Sequence, residues 1–182
     1  LQMSPANTSI ALTTYADKGL YWRTAPPDTF QGAVLGQLVS GDGYKTAAVL
    51  ALQDAYGEGL AKTFTEAFES AGNTIAFSKI YDPKAADYAA EVTAVKAAKP
   101  EALVIIGFDE TKKILQELIK QGIGPDTLPL YLCDGNMGNA LAEGLPAGTL
   151  NGAKGTIPGS KASDEFQAAL KAINPDLIDF SY

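Results

Sequence analysis

The stretch 102–110, Ala-Leu-Val-Ile-Ile-Gly-Phe-Asp-Glu, limits the fold more than any other part of the chain. Its apolar run is rich in β-branched residues and lacks polar alternation, so both faces of the strand it forms need cover, as in a parallel sheet. Gly107 ends the run, and Phe108, Asp109 and Glu110 follow. Apolar residues then recur at Ile114, Leu115, Leu118 and Ile119, the one-sided spacing of an amphipathic helix. Open α/β sheets hold ligands at the carboxyl ends of their strands, so residues 107–110 mark a candidate rim.

The flanking segments repeat this strand–turn–helix unit. Residues 47–52 read as a buried strand with 53–57 as its exit loop, and Leu60, Phe64, Phe68 and Ala71 line a helix that stops at Gly72. Residues 74–80 form a second strand ending at Tyr81-Asp82-Pro83, and Asp87 can cap a helix carrying Val92 and Val95 that stops before Lys99-Pro100. The third strand is 102–106, with Gly122 closing its helix. Residues 128–133 form the fourth, which leaves at Asp134-Gly135-Asn136 toward a short helix over 140–145. Residues 151–157 make a weak, glycine-containing fifth strand, and Ser163 caps a last helix with Phe166, Leu170 and Ile173, ended by Asn174-Pro175.

Ahead of these units, residues 4–9 are loop chemistry, and 20–24 form a short strand closed by Ala25-Pro26-Pro27. Asp28 with Gln31 resembles a capping box, opening a helix whose stripe is Phe30, Val34, Leu35 and Leu38 and whose end is Gly41-Asp42-Gly43. Alternating strands and helices predict an α/β fold. The expected architecture is a three-layer, doubly wound parallel sheet of flavodoxin-like or Rossmann-like type, with strand order 2-1-3-4-5 and its switch point between strands one and three.

Charge and composition narrow the function. The net charge is −7 and the basic residues are scattered, which argues against nucleic acid and anionic membrane surfaces as partners. No segment approaches the roughly 20 apolar residues of a membrane span. The 182 residues include no histidine, so the usual general base and the commonest metal ligand are missing. Cys133, the single cysteine, lies in an apolar strand and reads as a buried, inert thiol. Gly57-Glu58-Gly59 opens a helix after a strand, as a dinucleotide fingerprint does, but Lys62 stands at the third glycine position and Glu58 would oppose a pyrophosphate. Asp54, Asp82, Asp109 and Asp134 all follow strands and could hold a hard cation, although acids there also cap helices. No catalytic residue, cofactor or metal ligand is therefore assigned. Leu1-Gln2-Met3 is not a signal peptide, and an excised or mature segment is expected.

The topology brings the loop with Tyr56 and the loop with Phe108 face to face across the switch point, with Asp134 leaving the neighbouring strand. For each ring the alternative is a simple lid on the core. Together the three describe a pocket with apolar walls and one anionic point. Such a pocket suits a small ligand bearing an ammonium, which the carboxylate pairs with while the rings exclude water and add cation–π attraction.

On these residues the chain resembles the type I periplasmic binding proteins, specifically the branched-chain amino-acid (leucine/isoleucine/valine) receptors of ABC importers. The matching pieces are Ser4-Pro5-Ala6-Asn7-Thr8-Ser9, residues 20–24 with Gln31-Gly32, Asp54-Ala55-Tyr56-Gly57-Glu58-Gly59, Gly107-Phe108 and Asp134-Gly135, in family order. The resemblance implies a ligand-binding set of Ala6, Thr8, Tyr56, Phe108, Asp134 and Gly135. Ala6 and Thr8 match the loop that holds the ligand's α-carboxylate and ammonium, Tyr56 the aromatic that closes over it, and Asp134 the acid, usually glutamate, that pairs with the ammonium. Phe108 stands where the family often has tyrosine, and Asn7 replaces a small residue beside the carboxylate site.

The same resemblance implies a binding component rather than an enzyme. Two lobes would close around an amino acid, and a membrane permease would recognise the closed form. It implies an extracytoplasmic location, in a periplasm or at a cell surface through a lipid anchor upstream. Residues 1–27 would be a first-lobe remnant and hinge strand, and 28–182 the second lobe, ending at the return hinge at Phe180-Ser181-Tyr182. The alternatives are a ligand-sensing regulatory or receptor module of the same fold and a Rossmann-type nucleotide-binding enzyme.

Overall fold

The structure is a computed structural model that describes residues 1–159 and 163–176. Its body is a parallel sheet built from β3 (Thr46–Leu52), β4 (Thr74–Tyr81), β5 (Ala102–Ile106), β6 (Leu130–Cys133) and β7 (Lys154–Thr156), in the order β4-β3-β5-β6-β7. Numbered along the chain this is 2-1-3-4-5, the expected order, and the reversal falls between β3 and β5. Every residue of β5 is buried, and β3 is buried from Ala47 onward. This is what unbroken apolar runs require when helices cover both faces of a parallel sheet. The helices are α1 (Asp28–Gly41), α2 (Ala55–Ser70), α3 (Ala89–Ala98), α4 (Thr111–Lys120) and α5 (Asp164–Ile173). None of the described helices is long and apolar enough to cross a membrane.

The structure departs from the expected elements in instructive places. Helix α1 turns a different face inward: Phe30 and Val34 are 63% and 37% exposed, while Gln31, Gly32, Leu35, Gly36 and Val39 are buried. Helix α2 lies so close that a Cβ on Gly32 or on Gly36 would come within 2.7 Å of Thr63 Cβ or Ala67 Cβ. Small residues therefore occupy the contact and the large ones are displaced outward. The expected capping box is absent, since Pro27 takes the N-cap position without a side-chain bond and Gln31 reaches elsewhere. Asp87 does accept the Ala89 N–H at the start of α3, and Ser163 accepts that of Phe166 in α5.

Residues 140–145 form a 3-10 turn over Asn139–Ala142 rather than a helix, because Gly144 and Pro146 leave too short a run to nucleate one. The fourth and fifth strands are shorter than expected. A turn joining Leu128 N–H to Gly124 O delays β6, and turns through Asn151 and Ala153 delay β7. A second, two-stranded parallel sheet pairs β1 (Gln2–Ser4) with β2 (Tyr21–Arg23), and a 3-10 turn spans Ile10–Leu12. The strand expected over 20–24 thus shrinks to 21–23, and β1 occupies residues for which no strand is expected. Phe180-Ser181-Tyr182, expected at a return hinge, lie outside the described residues.

Candidate functional site

The carboxyl ends of three adjacent strands build one wall of a cleft. Tyr56 stands in the first turn of α2, not in a loop, because Asp54 caps that helix through the Gly57 N–H at 2.7 Å. The helix end that a phosphate would need thus already holds a carboxylate. Phe108 follows β5 and Asp134 follows β6. The Tyr56 and Phe108 rings stack with centroids 5.4 Å apart, and the Tyr56 hydroxyl donates to Asp134 Oδ1 at 3.0 Å. Burial, with the Asp134 carboxylate adding to it, pushes the Tyr56 phenol far above its ordinary pKa. Tyr56 therefore stays a proton donor.

The opposite wall is the loop after β1. Ser4 Oγ accepts the N–H groups of Asn7 at 2.9 Å and Ala6 at 3.3 Å, which curls the loop. The Asp28 N–H then ties Thr8 O to the start of α1 at 3.0 Å, and Arg23 reaches Ser9 O at 3.0 Å and Thr13 Oγ1 at 2.5 Å. The cavity between the walls has a volume of about 1,100 Å³ and is lined by all six expected residues, Ala6, Thr8, Tyr56, Phe108, Asp134 and Gly135. Asn7, Asp54, Met137 and Ile157 join them. Among the described residues the lining holds two carboxylates, Asp54 and Asp134, and no lysine or arginine. Phe108, Met137 and Ile157 are 45%, 40% and 57% exposed, so the cleft stands open along one side.

The six residues do not all present themselves alike. Thr8 is buried, and its hydroxyl lies near enough to the Asp28 carboxyl to lower that group's pKa. The Ala6 N–H points at Ser4 Oγ. Gly135 serves proximity: a Cβ there would come within 2.6 Å of Gly107 O and 2.9 Å of Phe108 Cε1. Only glycine lets the β6 exit pass this close to the β5 exit.

Behind the wall lies a set of polar residues to which the sequence alone gives no part in the site: Asn136 and Gln31 are buried and Glu110 is half-buried. Asn136 Oδ1 accepts the Cys133 N–H at 2.9 Å while its Nδ2 donates to Ile105 O at 2.9 Å and Thr111 Oγ1 at 3.1 Å, clamping the turn that carries Asp134 to the end of β5. Glu110 Oε1 accepts the Phe108 N–H at 3.0 Å and the Tyr81 hydroxyl at 2.8 Å, so it fixes the Phe108 turn. Gln31 reaches Asp134 from α1. The available signal was an amide or acid just beyond each strand, which is also what a helix cap looks like. Cys133 is fully buried, and burial pushes its thiol pKa up, as an inert thiol requires.

A family model described as periplasmic binding protein matches residues 3–180. The chain belongs to the periplasmic binding protein family. Its relatives include the leucine-, isoleucine-, valine-, threonine- and alanine-binding protein of Pseudomonas aeruginosa, which is 28% identical over 97% of this chain and 48% of its own length. Among solved structures, a Rhodospirillum rubrum protein named as a candidate branched-chain amino acid ABC transporter superposes with a TM-score of 0.79 at 20% identity. That match covers 97% of this chain and 51% of that one. A leucine-binding protein of Thermotoga maritima gives a TM-score of 0.70 at 24% identity over 78% of this chain and 39% of its own. Identities this low speak for the fold alone. This periplasmic binding protein chain spans about half the length of the relatives it matches.

Proposed function

We propose that this chain is a second ligand-binding lobe, with a first-lobe remnant, of the substrate-binding component of an ABC importer, which captures a branched-chain amino acid or related small molecule between two lobes for a membrane permease. One observation carries the reading. Two aromatic rings and a carboxylate from three separate strand ends meet on one cleft wall, in a lining that holds no basic side chain among the described residues. An ammonium group is the ligand chemistry that such a wall stabilises, through charge pairing with Asp134 and through the ring faces. The loop bearing Ala6, Asn7 and Thr8 faces that wall and would take the ligand's carboxylate.

Residues 1–27 would then belong to a first lobe and its hinge, and 28–182 to a second lobe that closes upon the first. The receptor would work outside the cytoplasm, in a periplasm or tethered at a cell surface, and would act by binding rather than catalysis. The specificity in the Pseudomonas relative's name supports aliphatic amino acids as the first ligands to test.

The test is calorimetry on the complete protein with leucine, isoleucine, valine, threonine and alanine. Asp134→Ala is expected to weaken the best of them by about 2–5 kcal/mol, because an ammonium left buried without its partner keeps its desolvation penalty. Unchanged affinity would remove Asp134 as the ammonium partner and the reading with it.

A further inference from the structure

Gln31 is 6% exposed in the first turn of α1 and does not line the cleft, yet its amide nitrogen is committed to the site. Nε2 lies 2.7 Å from Asp134 Oδ1, 3.1 Å from Thr156 O and 3.2 Å from Thr156 Oγ1. A primary amide has two N–H groups, so one meets the carboxylate and the other is shared between the two Thr156 oxygens. Thr156 ends β7 and is the register partner of Cys133, the last residue of β6. Gln31 thus bridges two neighbouring strand ends from outside the sheet. The Tyr56 hydroxyl reaches the same Oδ1 from α2. Two donors anchored on different helices hold one carboxylate oxygen, which restrains the rotation of the side chain at an open rim.

We propose that Gln31 is the positioning residue for Asp134, holding its carboxylate in the orientation that meets a ligand ammonium and so setting the preference for amine-bearing over deaminated ligands. The proposal deepens the amino-acid reading and rests on it. A residue that only tied α1 to the sheet would lower stability and weaken every ligand alike. A residue that aims the charge weakens the amine-bearing ligand selectively.

The experiment compares leucine with 4-methylpentanoate, the same skeleton without its amine, by calorimetry on the complete protein. The variants are Gln31→Met, which keeps the length without a donor, Asp134→Asn and the double variant, with thermal melting as the check on folding. Gln31→Met is expected to lower the leucine to 4-methylpentanoate affinity ratio about tenfold, the scale of one hydrogen bond to a charged group. In the Asp134→Asn background the same substitution should move the ratio by less than about twofold, since its effect passes through that charge. Gln31→Asn, too short to span both partners, should repeat the loss if Gln31→Met folds poorly. Equal weakening of both ligands, or an undiminished effect in the Asp134→Asn background, overturns the role of Gln31. A wild-type protein that does not prefer leucine to 4-methylpentanoate overturns the ammonium reading itself, and the role of Gln31 with it.

Discussion

Asp28 opens α1 with its backbone N–H on Thr8 O and its side chain fully buried. Neither carboxyl oxygen accepts a hydrogen bond of full geometry. Burial is the main reason that its pKa is pushed up to about 6 from the model-compound value of 3.8. The Thr8 hydroxyl and Arg23 pull it down, while Asp134 and Asp54 push it up. The folded state thus holds this proton more tightly than the unfolded chain. The penalty for ionising it is absent below pH 3.8, develops between 3.8 and about 6, and is complete above that. Two pK units correspond to about 3 kcal/mol. Asp28→Asn removes the ionisation, so it should stabilise the protein by about 2–3 kcal/mol at pH 8 and by almost nothing at pH 4. Unfolding midpoints of both proteins at the two pH values check this, and a gain of equal size at both would mean that Asp28 is not ionised at a cost in the fold.

At the scale of elements, the cleft depends on how closely neighbouring strand ends approach. Gly135 lies where the exits of β5 and β6 pass too close to admit a side chain. Gly135→Ala should push the Phe108 turn away and break the ring stack on Tyr56, costing about 1–2 kcal/mol of stability. Ligand affinity should fall about tenfold with it, as read by calorimetry, and retained affinity would show that the stack is not needed for binding. The sheet itself was legible because β3 and β5 are unbroken apolar runs and each is followed by a glycine-bearing turn and a helical stripe. Helix α1 departs from its expected stripe for a physical reason. A stripe rule looks for large apolar residues, but Gly32 and Gly36 meet α2 at a distance that admits no side chain. Tyr56, Phe108 and Asp134 could be placed together from strand order alone. Gln31 and Asn136 could not, because Gln31's partners lie 103 and 125 residues away and Asn136's donor contacts lie on β5 and α4. Local sequence offers those side chains only a cap to make.

Taken whole, the molecule carries a five-stranded sheet beside a two-stranded one. Strands β1 and β2 pair only with each other among the described residues, and Leu1, Met3, Leu20 and Trp22 around them are 90%, 66%, 55% and 57% exposed. A two-stranded sheet is marginal on its own in water, and apolar side chains this exposed ordinarily meet a covering surface. The loop bearing Ala6, Asn7 and Thr8 hangs from that pair, so half of the proposed site is supported by the weaker sheet. The other half, with Tyr56, Phe108 and Asp134, is fixed by the buried network behind it. Ligand bound to this chain alone would keep one well-ordered wall, one loop hung from a two-stranded sheet and an open flank through which water reaches the charge pair. Screening by that water reduces the value of the Asp134–ammonium interaction severalfold relative to a closed cleft. The isolated chain is therefore expected to bind leucine at least about 100-fold more weakly than the complete protein does, the loss appearing mainly as faster release. Calorimetry and stopped-flow measurements on the two proteins side by side test this. Micromolar binding of leucine by the isolated chain would mean that the cleft between the β1 loop and the Tyr56–Phe108–Asp134 wall is sufficient by itself and that lobe closure contributes little.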